Sequence, residues 1–180
     1  MSFIYLLPIE PVGGEVFEFI GDCLYEAFRI RTKTSSRKID ASVAYDEMRD
    51  QYNSSKLLAE VIKDPPPDAL RIIAVTDVDL FVPIFTFHFG QAQLDGLGAI
   101  VSTHRLHNRF YGLPEDKRLF RERVDKEAVH ELGHTFGLTH CMDPFCVMRS
   151  STYVEDVDQK SIDFCNRCRR LLSEKLKSIR

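Results

Sequence analysis

The chain has 180 residues, 24 Lys plus Arg against 27 Asp plus Glu, and 44% hydrophobic residues with 11% aromatics, a composition that excludes disorder and describes one globular domain. Its net charge of -3 offers no global attraction to nucleic acid or to an anionic membrane, and no apolar run approaches the roughly 20 residues that a bilayer span requires. Folding at this length buries roughly 70% of the unfolded surface, so a core forms without disulfide staples.

The apolar stretch of residues 2–9 lacks a basic flank and meets Glu10 at once; it reads as a first strand rather than a secretory signal, and the compartment expected is the cytoplasm. After Pro11, Gly13 and Gly14, the residues Val16, Phe17, Ile20, Leu24 and Phe28 recur at helical spacing over 15–30, with Cys23 in that helix as a core residue. Residues 31–55 are polar, with Ile39, Val43 and Tyr45 suggesting a strand, and Ser54 or Ser55 in place to cap a helix over 56–62. Pro65, Pro66 and Pro67 end that helix, because proline lacks the amide donor and disfavours helical backbone in the residue before it. The apolar run of 70–76 suits a buried central strand, 84–89 alternates as a strand with one open face would, and 97–102 supplies another. A polar segment over 103–116 leads to a long helix over 117–136, with Phe120, Val124, Ala128, Val129, Leu132 and Phe136 on one face. A closing helix is expected over 158–177, carrying Ile162, Phe164, Leu171, Leu172 and Leu176.

The chemistry lies at the end of the long helix. Residues 130–140 read His-Glu-Leu-Gly-His-Thr-Phe-Gly-Leu-Thr-His, which contains the zinc-protease pattern H-E-x-x-H extended by a glycine and a third histidine. Residues four apart on a helix project side by side, so His130 and His134 can both bond one metal at about 2.0 to 2.1 Å. Gly137 suits a turn that needs positive φ and would bring His140 up as the third ligand. Three neutral imidazoles leave a fourth position to water, whose pKa zinc lowers to about 7, and Glu131 is the candidate general base. Chance occurrence of the whole pattern in such a chain is on the order of 10⁻⁵. His88, His104 and His107 stand alone and are expected to be satisfied surface or core residues, with substrate contact as the exception.

Cys141, Cys146, Cys165 and Cys168 follow immediately. Two pairs of thiolates are the usual donors of a closed tetrahedral zinc site with Zn–S near 2.3 Å; buried unpaired cysteines or a redox C-x-x-C are the alternatives. Arg167, Arg169 and Arg170 either offset the charge of that site or form a solvated helix face. Since Cys141 adjoins His140, loss of one site should weaken the other. Two zinc ions per chain are expected, one catalytic and one structural, with cobalt or manganese as alternatives at the histidines.

With His130, Glu131, His134, Gly137 and His140 in this order, the sequence resembles the metzincins, and the cysteine after the third histidine, with Cys146 and the later C-x-x-C, resembles the archaemetzincins in particular. The likeness runs from 130 to 168. It implies an α/β (α+β) fold of the zincin type: a mixed twisted sheet with the active-site helix behind it, an N-terminal lobe over 1–137 and a small C-terminal lobe over 138–180 in one metalloprotease domain. It implies that Met148 is the apolar floor of a Met-turn beneath the imidazoles, and that an edge strand binds extended peptide, with 84–89 as candidate and 97–102 as rival. The tyrosine that some metzincins carry two residues after that methionine is replaced by Ser150, and Tyr153 is a poor substitute on spacing.

Peptide hydrolysis on zinc is the function this pattern implies, on a peptide or protein substrate, with aminopeptidase and endopeptidase both open. A zinc-stabilised binding scaffold with little activity is the alternative. The six basic residues between Arg167 and Arg180, without an aromatic platform, make a thin case for nucleic acid.

Overall fold

The structure, a computed structural model, describes residues 2–179. Its frame is a mixed sheet of β1 (Phe3–Glu10), β2 (Thr32–Thr34), β3 (Ile39–Asp40), β6 (Ala69–Thr76), β9 (Gly90–Ala92) and β10 (Gly98–Ser102). The strands run in the order β2-β1-β6-β10-β9, with β3 beside the end of β1. All pairings are parallel except that of β9 with β10. Strand alternation sends Ile4, Leu6, Ile73, Val75, Ala99 and Val101 to one face and Leu7, Ile9, Ile72, Ala74 and Ile100 to the other, so the sheet is buried on both sides as parallel sheets are.

Helices α1 (Glu15–Phe28), α3 (Lys117–Thr135) and α5 (Asn166–Ile179) cover the first face, and α2 (Ser54–Val61) covers the second. Phe28 stacks on Phe136 with centroids 5.2 Å apart and meets Phe164 edge-on at 5.8 Å, which ties the start of the chain to both ends of the site-bearing segment. A second sheet, β4 (Tyr45–Asp46), β5 (Gln51–Asn53), β7 (Leu80–Val82) and β8 (Phe85–His88), lies in the order β4-β5-β7-β8.

Several expectations change. The strand suggested by Ile39, Val43 and Tyr45 is divided: Ile39 lies in β3 and Tyr45 in β4, while Val43 is in a 3-10 turn over Ala41–Ala44, where the Asp40 side chain accepts the Ser42 amide at 2.9 Å. Asn53, not a serine, caps α2, accepting the Lys56 amide at 3.1 Å. The rival edge strand 97–102 is internal: β10 pairs with β6 on one side and β9 on the other. The candidate 84–89 is an edge strand, but of the second sheet and shortened to β8. The closing helix over 158–177 is two helices, α4 (Val154–Gln159) and α5. Lys160 is extended and drawn inward to Glu127 at 2.8 Å, which breaks the helix and leaves Ile162 and Phe164 in the connection.

Candidate metal centres

Helix α3 begins at Asp116, whose side chain accepts the Leu119 amide at 2.9 Å, and its apolar stripe of Val124, Ala128, Val129 and Leu132 packs into the core. The opposite face is polar and buried, carrying Arg123, Glu127, His130 and Glu131. The helix ends on paired bonds, Gly137 N–H to His134 O at 2.9 Å and Leu138 N–H to Gly133 O at 3.2 Å. Gly137 has φ of 85°, a left-handed value that glycine adopts without strain, and the turn brings His140 back beside the helix.

His130 Nδ1 donates to Val147 O at 2.8 Å and His134 Nδ1 to Leu138 O at 2.7 Å. These bonds select the tautomer that leaves each Nε2 lone pair free. The two Nε2 atoms lie 3.1 Å apart, close to the roughly 3.3 Å separating two nitrogens on one tetrahedral zinc. The His140 ring lies 5.4 and 5.0 Å from the rings of His130 and His134, and the donor atoms of all three lie within 4.8 Å of one another. Burial pushes His130 well below the usual imidazole range, with Lys160 and His134 acting in the same sense, and burial lowers His134 and His140 as well. Neutral imidazole is the form that binds metal, so the donor set fits zinc.

Glu131 is buried, and desolvation followed by the charge of Glu127 raises its carboxyl well above the ordinary range, opposed by Lys160. Two cavities meet at this point. One, about 350 Å³, is lined by Phe87, Glu127, His130, Glu131, Ser150 and Tyr153 among others; the second, about 730 Å³, is lined by Val82, Ile84, Leu94, Glu131, His134 and His140 among others. His88, Phe85 and Gly90 border both. His88 Nε2 is 2.8 Å from the buried Ser54 Oγ, and burial holds its ring below the ordinary pKa. His104 and His107 sit instead around Asp77, at 3.1 Å from its carbonyl and 3.5 Å from its carboxylate.

Met148 is fully buried beneath this helix turn. A Cβ on Gly133 would stand 2.6 Å from Met148 Sδ, so the glycine in H-E-L-G-H is what lets the methionine lie against the helix. The loop carrying Met148 is stitched on both sides, by Cys141 N–H to Met148 O and Val147 N–H to Asp163 O, each at 2.9 Å.

The four cysteines form a second cluster, with Sγ atoms within 4.8 Å of one another. Cys141 and Cys165 Sγ are 3.7 Å apart, against about 3.8 Å for two thiolates on one tetrahedral zinc. The Cys165 amide donates to Cys146 Sγ at 3.3 Å, a bond that favours thiolate. Burial raises the Cys146 and Cys168 thiols, while the Cys168 amide lowers Cys165. Of the nearby arginines, Arg169 reaches Asp163 at 3.5 Å.

Sequence reasoning missed Glu127, Gly90 and Lys160. Glu127 was detectable, lying one turn before Glu131. Lys160 and Gly90 reach the site only through tertiary contacts, and Tyr153, set aside on spacing, lines the cavity from an exposed position.

A mixed sheet backed by a helix that presents two imidazoles and a carboxylate, with a third imidazole past a glycine turn, defines a zinc metallopeptidase of the metzincin type. Residues 26–174 match the sequence profile of Peptidase family M54, and the chain belongs to that family. It is 42% identical to the archaemetzincin of Pyrococcus furiosus over 97% of this chain and 94% of that protein, and 36% identical to that of Methanocaldococcus jannaschii over 97% of each. The crystal structure of archaemetzincin from Methanopyrus kandleri superposes with a TM-score of 0.83 at 36% identity, covering 98% of this chain and 96% of that one. A zinc-dependent peptidase from Methanocorpusculum labreanum gives 0.84 at 30% identity over 94% and 99%. No helix among the described residues is long and apolar enough to cross a membrane.

Proposed function

We propose that the chain hydrolyses peptide bonds at a zinc held by His130, His134 and His140, with Glu131 as proton acceptor and then donor, and that Cys141, Cys146, Cys165 and Cys168 hold a second, structural zinc. The observation that carries this reading is the pair of Nε2 atoms 3.1 Å apart, their Nδ1 atoms tied to backbone carbonyls, beside a buried carboxylate facing the same cavity. Zinc in this donor set supplies Lewis acidity toward a carbonyl and activates water at neutral pH. Glu131 takes a proton from the attacking water and returns it to the leaving amine, a role suited to a buried carboxylate that lines the same cavity as His130 and His140.

Strand β8 is the edge along which an extended substrate binds, since Phe85, Thr86, Phe87 and His88 line the cavity beside Glu131. Residues 138–179 form the lobe below the cleft, with Met148 as floor and the cysteine zinc holding the loop of His140. The five cysteines are free of disulfides, which fits a reducing compartment such as the cytoplasm.

The test is cleavage of a diverse peptide library by protein with two zinc ions verified per chain, beside a Glu131→Ala control of equal metal content. Loss of cleavage by about 10²- to 10⁴-fold in the control is expected. Equal activity in both would overturn the assignment of the base. Ser150, standing where some metzincins have a tyrosine, favours the second reading, a peptide-binding scaffold; library peptides bound but not cleaved by the zinc-loaded wild type would establish it.

A further inference from the structure

Two carboxylates, Glu127 and Glu131, lie one turn apart on the face of α3 that lines the smaller cavity. The proposed hydrolysis uses only one of them. Glu127 is paired with Lys160, Nζ to Oε1 at 2.8 Å, and the two side chains are 4% and 0% exposed. The same ammonium donates to Arg149 O at 3.3 Å, one residue past Met148.

A buried ion pair stabilises a fold little more than apolar side chains of similar volume would, because desolvation offsets the attraction. Nor is this pair needed as a tether. Arg123 already donates to both carboxylate oxygens of Asp158 at 2.7 Å, and Lys126 donates to the carbonyls of Val157 and Asp158 at 3.1 and 3.2 Å.

Its position suggests another consequence. A Cβ on Gly90 would stand 2.6 Å from Cγ and 2.8 Å from Cδ of Glu131, so strand β9 closes one side of that side chain at van der Waals range. Toward the other end of the helix stands Glu127, and like charges at this spacing repel. An uncompensated Glu127 would drive the Glu131 carboxylate away from the position it shares with His130 and His140 at the cavity wall.

We propose that Lys160 and Glu127 are a positioning pair for Glu131: Lys160 cancels the charge one turn upstream, so that Glu131 rests against Gly90 with its carboxylate facing the histidines. The inference rests on Glu131 being the base, and its test separates the two.

Zinc-loaded wild type, Lys160→Met, Glu127→Gln/Lys160→Met, Lys160→Arg, Glu131→Ala and Lys160→Met/Glu131→Ala would be compared. The readouts are metal content, Tm, kcat and KM on the best library peptide, and Kd for acetohydroxamic acid, whose hydroxyl proton requires an acceptor beside the metal. Glu127→Gln/Lys160→Met, which removes both charges, is expected to keep its zinc, its Tm within a few degrees and its kcat and acetohydroxamate affinity within roughly threefold of wild type. Lys160→Met alone, which leaves Glu127 uncompensated, should lose roughly 10- to 100-fold in kcat with KM nearly unchanged, and a comparable factor in acetohydroxamate affinity. In the Glu131→Ala background Lys160→Met should change acetohydroxamate affinity by less than about twofold, because a pair acting through Glu131 has nothing left to act on.

A zinc-loaded Lys160→Met protein with wild-type kcat and acetohydroxamate affinity overturns the proposal, as does an equal loss when Glu131 is absent or a loss in Glu127→Gln/Lys160→Met as large as that in Lys160→Met. If Lys160→Met does not fold, Lys160→Arg decides: retained charge should hold acetohydroxamate affinity within about fivefold, and a folded, zinc-loaded Lys160→Arg protein impaired by more than about tenfold overturns it. Should the wild type cleave nothing, or Glu131→Ala cleave as well as wild type, the base assignment fails, while the acetohydroxamate comparison still decides the pair.

Discussion

The histidine and cysteine clusters share one stretch of chain, from 130 to 168, yet rest on different foundations. His130 and His134 sit on a helix packed into the core, their Nδ1 atoms held by backbone carbonyls, and His140 follows a turn closed by two backbone bonds. The cysteines come from a loop, a connection and the first turn of α5. Burial raises two of their thiols, so thiolate formation there depends on a cation. One donor set is therefore oriented by secondary structure, whereas the other gathers its donors from three separate segments.

The largest expected effect breaks this contrast if it fails. Cys165→Ser should lower Tm by ten degrees or more, roughly the loss of several kcal/mol of metal-linked folding energy, and limited proteolysis should then cut within residues 141–180. His130→Ala should remove the other zinc with a much smaller change in Tm. Equal destabilisation by both would mean that the histidine centre is metal-organised as well.

Two glycines sharpen the comparison at intermediate size. Gly133→Ala drives a Cβ to 2.6 Å from the fully buried Met148 sulfur and should cost about 1–3 kcal/mol by overpacking. Gly137→Ala, at φ of 85°, should cost about 1–2 kcal/mol. Urea denaturation gives both values, and zinc analysis should show histidine-site occupancy falling in each while the cysteine site stays filled.

The smallest effect concerns α3 away from the metal. Burial raises the Asp125 carboxyl to about 6, with its Oδ1 unpartnered and Arg121 3.6 Å away. Below the unfolded value both states are protonated and nothing is lost; as pH rises toward 6 the unfolded chain releases the proton first, which destabilises the fold. Asp125→Asn should therefore stabilise above pH 6, with the gain fading through pH 5 and gone below about 4. Urea midpoints at pH 8 and pH 4 check it, and an advantage equal at both would refute the linkage.

Much of the fold was legible where local chemistry and packing agree. The central run of 70–76, the helix with Phe120, Val124 and Leu132 on one stripe, and the stop at Gly137 all appear close to where periodicity and turn chemistry put them. Legibility failed where partners are distant. Val43 looks like a strand residue but lies in a turn set by Asp40. Strands β7 and β9 are three residues each, too short to show a period, and β7 also pairs with β5 far back in the chain. The helix expected through Lys160 breaks because its ammonium finds Glu127 across the fold.

The sequence by itself determined the donor types and their order: two imidazoles and a carboxylate at helical spacing, a glycine that permits the turn, a third imidazole, and four thiols in two pairs. These depend on spacing along a single element or turn, which backbone geometry converts directly into direction. Only the tertiary structure decided which strand borders the cleft, that Gly90 presses on Glu131, that Met148 lies under Gly133, and that Lys160 reaches Glu127. The last three contacts join residues 41, 15 and 33 positions apart, and folding brings them together through burial of the surrounding core, a non-directional force that leaves no local signature in the chain.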